Sequence, residues 1–361
     1  MLVLVAAGLG ACPYLAEAAQ GPVSPGVRLL PAEEAWAATL PAPPSAQGAI
    51  DGERVYIPLE IGRVVALSRG TGTTEWSVPL ESLWPALAQD GHLLVVSGAT
   101  LVSLAPNTGS RRWTTALDGE VIAPLVQDGD RVFAVTEWGL TALRRTDGER
   151  LWATPIASLP GTAHISVGTG TLSISQGPRV VTIDLDSGGL RWERELPGTL
   201  GPPVATADRL FVGSTDNALY ALEIETGRVA WRWRYGGDVV GAAAGRGRVY
   251  VAALDNVLRS VHSSSGNQIW KQGLATRPVL PPIVTGGTIL LVGNDPALTA
   301  FDAETGALLA TYVAPADLQG APLVDSTPDS GRVAIVVITR DGRAVALRPR
   351  AAPVPGDPAE R

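Results

Sequence analysis

Apolar and polar residues follow one another along this chain in short runs that predict β-strands. The stretch from Arg209 to Trp231, RLFVGSTDNALYALEIETGRVAW, shows the pattern most fully. It predicts a buried strand, a turn at 214–217, a second strand, a hairpin turn at Thr226-Gly227 and a third strand that carries the tryptophan. Apolar residues lie on both faces of the first strand, so neighbouring sheets must cover both of its faces. The unit therefore needs copies of itself to be stable.

Copies of this unit recur along the chain at an interval of about 40 residues. Each copy has a tryptophan four or five residues after a turn that contains glycine, and these tryptophans are Trp76, Trp113, Trp152, Trp192, Trp231 and Trp270. Trp36 precedes the series in the same register, and Ala310 occupies the position at which the next tryptophan is expected. A fixed period of this length, built of strands, is typical of the blades of a β-propeller.

Eight such blades can be delimited from Trp36 onward, each with a short strand rich in proline and small residues, two strong strands and a tryptophan strand. We therefore predict an all-β protein, an eight-bladed β-propeller of four-stranded antiparallel blades over residues 36–350. The last copy, 332–350, has two strong strands but no outer strand, and the unpaired stretch 36–40 has the matching length. We predict that this N-terminal strand closes the ring, which leaves no long exposed sheet edge.

The two ends of the chain carry other signals. Residues 1–11 are apolar but too short to span a bilayer, and they resemble the apolar core of a secretory signal peptide. The run ends in Leu-Gly-Ala-Cys, which resembles a lipobox, so residues 1–12 are expected to be a lipoprotein signal and Cys12 the lipidated residue. The alternative is soluble secretion with cleavage after Ala18. Residues 13–35 are expected to form a flexible tether, and residues 351–361 a disordered tail.

Composition and charge narrow the function further. Of the 361 residues, 45% are hydrophobic and 17% are charged, which is enough apolar material to fill a large core. A net charge of -7 and an isoelectric point of about 5.1 argue against nucleic acid as a partner. Cys12 is the single cysteine, which excludes an intrachain disulfide.

The tryptophans divide into two groups. Those in register with the repeat are predicted to pack between blades, while Trp84, Trp138 and Trp233 fall out of register and are candidates for an exposed surface. Trp138 lies in a predicted turn, and Trp233 lies in the alternating stretch Trp-Arg-Trp-Arg at 231–234. We take Trp138 and Trp233 as candidate partner-binding residues. Sensing of a carbohydrate or another ligand through exposed tryptophans stays open as an alternative.

The sequence offers no candidate for a catalytic, cofactor-binding or metal-binding residue. His92, His164 and His262 fall in three different predicted blades and have no metal-ligand spacing. The glycines follow the hairpin period and do not form a phosphate-binding loop. The chain is therefore expected not to be an enzyme and to carry no cofactor.

The repeat, seen at 209–231 and again as RVYVAALDNVLRSVHSSSGNQIW at 248–270, resembles the pyrroloquinoline-quinone-type (PQQ-type) propeller repeat over about residues 36–350. Two groups of proteins share that repeat. Quinoprotein dehydrogenases hold the quinone and a calcium ion at the axis and use an adjacent pair of cysteines, which this chain does not have; a PQQ-dependent oxidoreductase is therefore the alternative function. Length, lipobox and blade count instead resemble the BamB family, the lipoprotein subunit of the outer-membrane β-barrel assembly machinery.

The resemblance to that family implies a non-enzymatic scaffold with a role in outer-membrane protein assembly. It also implies an extracytoplasmic location, with the acylated N-terminus anchored at the periplasmic face of the outer membrane, and the barrel-inserting subunit as partner. The family binds this partner through a Leu-x-Leu-Arg loop between blades and through acidic residues in the next such loop. Here the first loop, 195–200, ends in Leu200 and lacks the arginine; in the second, Asp238 matches one acid and Val240 replaces the other. The resemblance thus adds Leu200 and Asp238 as candidate partner-binding residues.

Overall fold

The computed structural model of the protein describes residues 29–157, 161–325 and 333–349. These residues form eight four-stranded antiparallel sheets. The strands of the described residues, in chain order, are β1 (Ala32–Thr39), β2 (Ala49–Ile50), β3 (Arg54–Leu59), β4 (Arg63–Ser68), β5 (Thr74–Pro79), β6 (Leu87–Gln89), β7 (His92–Ser97), β8 (Thr100–Leu104), β9 (Arg111–Ala116), β10 (Val126–Asp128), β11 (Arg131–Thr136), β12 (Gly139–Arg144), β13 (Arg150–Pro155), β14 (His164–Gly168), β15 (Thr171–Gln176), β16 (Arg179–Asp184), β17 (Leu190–Glu195), β18 (Leu200–Ala205), β19 (Arg209–Ser214), β20 (Ala218–Glu223), β21 (Val229–Arg234), β22 (Val239–Gly245), β23 (Arg248–Ala253), β24 (Val257–His262), β25 (Gln268–Gly273), β26 (Ile283–Thr285), β27 (Thr288–Val292), β28 (Ala297–Asp302), β29 (Leu308–Val313), β30 (Leu323–Val324), β31 (Ile335–Ile338) and β32 (Arg343–Pro349).

Each sheet is one blade, and the blades follow one another in a ring. Blade 1 consists of β2 to β5, each later blade takes the next four strands, and blade 8 consists of β30, β31, β32 and β1. We call the strands of a blade A to D from the axis outward; the A strands of most neighbouring blades contact one another around the axis. The eight-bladed propeller that the repeat predicts is confirmed.

The hydrophobic core lies between the blades. Buried apolar side chains of the described residues form eight clusters, and each cluster combines two neighbouring blades. The cluster between blades 4 and 5, for example, joins Val180 and Trp192 of one blade to Leu210 and Val212 of the other. Each blade therefore buries both faces against its neighbours, as the two-sided apolar pattern of the repeat requires.

The in-register tryptophans pack the outer strand of one blade against the next blade, and we call them docking tryptophans. Each indole ring packs against the glycine of the next blade's C–D turn, and the pairs are Trp36 with Gly72, Trp76 with Gly109, Trp113 with Gly148, Trp152 with Gly188, Trp192 with Gly227, Trp231 with Gly266 and Trp270 with Gly306. The indole of Trp192 also donates a hydrogen bond to the Ile224 carbonyl at 2.7 Å. At Gly227 φ is +66°, and an added Cβ would lie 2.5 Å from the Trp192 ring, so glycine suits both the turn and the contact. The prediction that these tryptophans pack between blades is confirmed.

The N-terminal strand closes the ring, as predicted. Strand β1 pairs antiparallel with β32 and forms the outer strand of blade 8. It begins at Ala32, so residues 32–35, which the sequence pattern places in the tether, belong to the blade instead. Leu29 and Leu30 are also buried, each 1% exposed, because they pack into the core cluster between blades 7 and 8.

The absence of a tryptophan at position 310 has a structural reason. A docking tryptophan of blade 7 needs a C–D turn on blade 8, but there the C and D strands are β32 and β1, from opposite ends of the chain. Leu29 and Leu30 pack instead in the same cluster as Ala310. The hydroxyl of Tyr312 in blade 7 donates to Glu34 Oε1 of β1 at 2.8 Å, which adds a polar link across the same seam.

Several sequence predictions concern residues outside the described ranges. The expected signal segment with Cys12, the tether from residue 13 to residue 28 and the expected tail at 351–361 all lie there. Within residues 29–157, 161–325 and 333–349, no helix is long and apolar enough to cross a membrane.

Candidate functional site

The ring has two faces that carry different loops. The B–C turns and the connections between blades lie on one face, which we call the upper face; the amide of Glu137 in a B–C turn, for example, donates to the Glu120 carbonyl of the preceding connection at 3.1 Å. The A–B and C–D turns lie on the opposite face. Loops held by a rigid scaffold are common binding surfaces. Of the residues that the sequence singles out for partner binding, three lie at the upper face and one on the outer rim: Trp138, Leu200 and Asp238 at the face, and Trp233 on the rim.

Trp138 is the most exposed of these residues, with 67% of its surface accessible. It lies in the turn between β11 and β12, as predicted, and its amide donates to Thr136 Oγ1 at 3.3 Å. Its indole packs against Gly119 in the connection between blades 2 and 3, so closely that a Cβ at that position would overlap the ring. One side of the indole is therefore held in position by Gly119 and the other is open to solvent, which suits an aromatic contact residue.

Two further apolar side chains are exposed on the upper face in neighbouring blades, and the sequence reasoning missed both. Ile61, in the B–C turn of blade 1, is 54% exposed, and Leu83, in the connection between blades 1 and 2, is 72% exposed. Ile61 has a signal in the sequence, since it is a single apolar residue in a polar turn, whereas Leu83 stands beside Trp84 and has no such signal. We call Ile61, Leu83 and Trp138 the apolar arc, because they follow one another around blades 1 to 3. Trp84, in contrast, is half-buried against the core cluster between blades 2 and 3.

The family resemblance singles out two loops, which contain Leu200 and Asp238. Of these two side chains, only that of Asp238 is accessible to a partner. Leu200 begins β18 and is 2% exposed, because it packs into the core cluster between blades 4 and 5. Asp238 lies half-buried in the connection between blades 5 and 6, where its backbone carbonyl accepts a hydrogen bond from the Leu254 amide at 2.9 Å. Its carboxylate has no ion-pair partner within the described parts of the chain. Asp238 can therefore offer a charge to a partner, whereas Leu200 contributes packing.

Trp233 lies on the outer rim beside a cavity of about 280 Å³ between blades 5 and 6, which we call the rim cavity. It is 45% exposed, and an edge of its indole lies against Gly266 of blade 6. Tyr235 follows on the same side and stacks on the Arg259 guanidinium, 4.8 Å from the ring centre. Arg259 donates to both carboxylate oxygens of Asp255, at 3.0 and 2.6 Å. Burial raises the pKa of the Tyr235 hydroxyl to about 12, so the hydroxyl keeps its proton at neutral pH.

The three histidines lie apart, as their spacing predicts. His92 belongs to β7, His164 to β14 and His262 to β24, in three different blades. Among the described residues, no group of three or more histidine, cysteine, aspartate and glutamate side chains is placed to hold a metal ion. Many arginine, aspartate and glutamate side chains in the described parts of the chain form ion pairs. Some of these pairs cross between blades, as when Arg131 of blade 3 reaches Asp186 of blade 4 at 2.7 Å.

The lowered pKa of His164 predicts that the stability of the folded protein depends on pH. The Nδ1 atom of this residue is buried without a hydrogen-bond partner among the described residues, and burial lowers the pKa of the ring to about 4. In an unfolded chain the histidine pKa is about 6.5, so the unfolded state binds the proton first as the pH falls. The contribution of His164 to the free energy of unfolding is complete above about pH 6.5 and is lost progressively toward about pH 4. At about pH 5 the loss is about 2 kcal/mol.

Replacing His164 with glutamine, which does not titrate, is expected to remove this part of the pH dependence. The measurement is urea unfolding of both proteins at about pH 7.5 and about pH 5. The original protein should lose more stability between the two conditions than His164→Gln does. An identical loss in the two proteins would show that His164 is not the titrating group.

Comparison with known proteins places the chain among named relatives. The sequence profile of the family described as outer membrane protein assembly factor BamB matches residues 60–199, 180–276 and 235–352. A protein of that name from Moranella endobia (strain PCIT) is 24% identical over 165 residues, which are 40% of this chain and 42% of the relative. Another of that name, from Yersinia pestis, is 23% identical over 192 residues, 48% of this chain and 49% of the relative. The chain thus aligns with less than half the length of each of these two curated relatives.

Solved structures share the fold at low sequence identity. The crystal structure of BamB from Moraxella catarrhalis matches with a TM-score of 0.67 and 16% identity, over 88% of this chain and 99% of the other. The computationally designed Ika8 protein matches with a TM-score of 0.72 and 12% identity, over 91% and 100%. These two matches show a shared propeller fold and nothing beyond the fold. Because the overlapping profile matches run from residue 60 to residue 352, the chain belongs to the family of the outer membrane protein assembly factor BamB.

Proposed function

We propose that this protein is a non-enzymatic, extracytoplasmic scaffold with a BamB-like role in outer-membrane protein assembly. The observation that carries the proposal is Trp138, which is 67% exposed on the upper face while its indole rests on Gly119. The membership of the chain in the BamB family supports the assembly role. A ring closed by strand pairing holds such a side chain in place before a partner arrives, which lowers the entropy lost on binding.

The partner that we propose is an envelope protein, the barrel-inserting subunit of the β-barrel assembly machinery. The apolar arc would form the centre of the contact, with Trp138 as its main anchor, because tryptophan is enriched among residues that dominate binding energies. Asp238, further around the same face, would add a charged contact that favours the correct orientation. The buried Leu200 would act indirectly, by fixing the connection between blades 4 and 5.

We further propose that the protein is a lipoprotein, acylated on Cys12 and held at the periplasmic face of the outer membrane. This proposal is supported by the Leu-Gly-Ala-Cys sequence at the end of an apolar run. Mass spectrometry of the mature N-terminus tests it: the expected result is a chain that begins at Cys12 and carries acyl groups. An unmodified chain that begins at residue 19 would contradict it.

Replacing Trp138 with alanine is expected to weaken partner binding by roughly 30-fold, as for a tryptophan at the centre of an interface. The measurement is co-purification of a tagged form from detergent-solubilised native membranes, with the barrel-inserting subunit quantified by mass spectrometry. Binding of the purified pair then gives the dissociation constant.

The matched control is Trp233→Ala, which removes an exposed tryptophan from the outer rim and leaves the apolar arc intact. We expect this variant to recover as much partner as the original protein. Failure of the original protein to recover any barrel-assembly subunit would overturn the assembly role. Undiminished recovery of partner by Trp138→Ala would place the contact elsewhere than the apolar arc, and equal loss of partner in both variants would add Trp233 on the outer rim to the contact.

A further inference from the structure

Exposed carboxylates accompany the apolar arc on the upper face. Each of its three side chains has an exposed glutamate within two residues of it in the chain. A fourth exposed glutamate lies in the connection between blades 2 and 3, next to the glycine on which the Trp138 indole rests. We call these four residues the acidic border, and they are Glu60, Glu81, Glu120 and Glu137.

The loops that carry the acidic border are held against one another by the backbone. In blade 3 the amide of Glu137 donates to the Glu120 carbonyl at 3.1 Å, which joins the B–C turn to the preceding connection. In blade 1 the Cβ of Glu81 lies 4.0 Å from the position that a Cβ on Gly62 would occupy, so Glu81 lies beside the turn that contains Ile61. The position of the border relative to the apolar arc is therefore fixed by the fold.

The charges of the acidic border are not neutralised by the protein. Its four carboxylates have no ion-pair partner within residues 29–157, 161–325 and 333–349. Three arginines at or beside this part of the face bond to other groups, and the pairs are Arg63 with Ser77, Arg150 with Asp118 and Arg179 with Glu193. The apolar arc is thus accompanied by free negative charge.

Other blades show that acidic residues of the upper face can be paired. In the B–C turns of blades 5, 6 and 8, an aspartate bonds to a side chain of its own blade, and the pairs are Asp216 with Tyr220, Asp255 with Arg259 and Asp341 with Arg343. These aspartates support the turns in which they lie. The glutamates of the acidic border have no such role among the described residues, so their charge is left for solvent or for a partner.

The sign of this charge selects the kind of surface that can approach the apolar arc. The Debye length is about 8 Å at physiological ionic strength, so the border acts on any surface that comes close to it. Nucleic acid and anionic lipid carry the same sign and are repelled. A protein surface with arginine or lysine around an apolar centre is attracted, because its charges are complementary to the border.

We propose that the apolar arc and the acidic border together bind a basic protein surface, in which arginine or lysine side chains surround apolar residues. This surface chemistry rests on the proposed function, since it describes the partner that would contact Ile61, Leu83 and Trp138. The apolar side chains supply the buried centre of the contact, and the glutamates form its polar rim. Charges in such a rim act mainly on the association rate and on the orientation of the partner.

The test uses a probe of defined chemistry, so that it does not depend on the identity of the natural partner. The probe is the fluorescein-labelled peptide Arg-Leu-Gly-Arg-Leu-Gly-Arg, and its neutral counterpart is Gln-Leu-Gly-Gln-Leu-Gly-Gln. Fluorescence anisotropy measures the binding of each peptide to the purified protein at about 50 mM and about 200 mM NaCl. We expect the arginine peptide to bind about tenfold more tightly at the lower salt concentration and to lose most of this advantage at the higher one.

The double variant Glu60→Gln/Glu137→Gln is expected to weaken binding of the arginine peptide by about fivefold, because it removes two exposed charge contacts. The matched control is Glu53→Gln/Glu304→Gln, which changes the net charge equally at two exposed glutamates in turns on the opposite face. This control should bind the arginine peptide as tightly as the original protein. Trp138→Ala should weaken the binding as well, because it removes the largest side chain of the apolar arc.

Four results would overturn the proposal. The arginine peptide binds no better than the glutamine peptide; Glu60→Gln/Glu137→Gln binds it as tightly as the original protein; Trp138→Ala does so; or the control variant loses as much affinity as the border variant. The last result would indicate attraction to the overall negative charge of the protein.

The proposed function fails on a different observation, which is that the original protein recovers no barrel-assembly subunit from native membranes. Selective binding of the arginine peptide at the acidic border without such recovery would support the basic partner surface and remove the assembly role. Recovery of the subunit without any preference for the arginine peptide would support the assembly role and overturn the basic partner surface.

Discussion

Replacing Trp192 with alanine is expected to lower the free energy of unfolding by about 3–5 kcal/mol, the range for a large aromatic side chain removed from a core. The indole is 9% exposed and belongs to the core cluster between blades 4 and 5. It also covers Gly227 and donates to the Ile224 carbonyl at 2.7 Å. Alanine would leave a cavity at the seam and an unpaired carbonyl in the turn. Urea unfolding followed by circular dichroism measures the change.

The matched control for this prediction is the same substitution at an exposed tryptophan. Trp138 is 67% exposed and lies outside the seam clusters, so Trp138→Ala should change the free energy of unfolding by no more than about 0.5 kcal/mol. Trp192→Phe should fall between the two, because phenylalanine fills much of the cavity but cannot donate the hydrogen bond. Similar losses for Trp192→Ala and Trp138→Ala would show that docking tryptophans do not carry the stability of the seams.

Replacing Arg69 with methionine is expected to destabilise the protein by about 3 kcal/mol, because it removes one partner of a buried ion pair. Arg69 belongs to blade 1, and its guanidinium reaches Asp325 and the Val333 carbonyl of blade 8. It also donates to the Asp51 carbonyl of its own blade at 3.1 Å. The side chain is 6% exposed and that of Asp325 17%, and the substitution would also remove the donor that the Val333 and Asp51 carbonyls share. Urea unfolding again provides the measurement.

Arg145 offers a control at the same position of the repeat. The backbone carbonyls of Arg69 and Arg145 both accept the indole hydrogen bond of a docking tryptophan. The carboxylate partners of Arg145, however, are Asp90 and Asp130, whose side chains are 62% and 49% exposed. Water can solvate these carboxylates after substitution, so Arg145→Met should cost less than about 1 kcal/mol. An Arg69→Met variant as stable as Arg145→Met would contradict the assigned role of Arg69 in ring closure.

Both predictions follow from the way in which the ring is held together. Among the described residues, the apolar core is divided into eight clusters, one at each seam. Seven seams join blades that follow one another in the chain, while the seam between blades 8 and 1 joins residues from opposite ends. Its residues are far apart in sequence, as Arg69 and Val333 are, so its closure has the largest loop entropy to overcome. A buried arginine with several partners at that seam offsets part of this cost.

The repeat is the part of the protein that the sequence by itself determined. Strand alternation, a glycine in each hairpin turn and a tryptophan at a fixed distance are local signals, and each is repeated often enough to establish the period. They gave the blade number, the docking role of residues such as Trp192 and the closing strand. The turn position of Trp138 followed from the same register, because the residue after a strong strand falls at an exposed reversal of the chain.

Only the tertiary structure decided which residues without a counterpart in the repeat lie at a seam and which lie at the surface. Leu29 and Leu30 have no repeat counterpart, and their burial depends on the missing turn of blade 8. Leu200 is buried although its loop lies at the upper face. The rim cavity, where Tyr235 meets Arg259, joins side chains of two blades. A repeated pattern indicates the contacts that the seams have in common, such as those of Trp192. Contacts that occur at one seam alone depend on how those two sheets pack against each other, and that packing exists only in the closed ring.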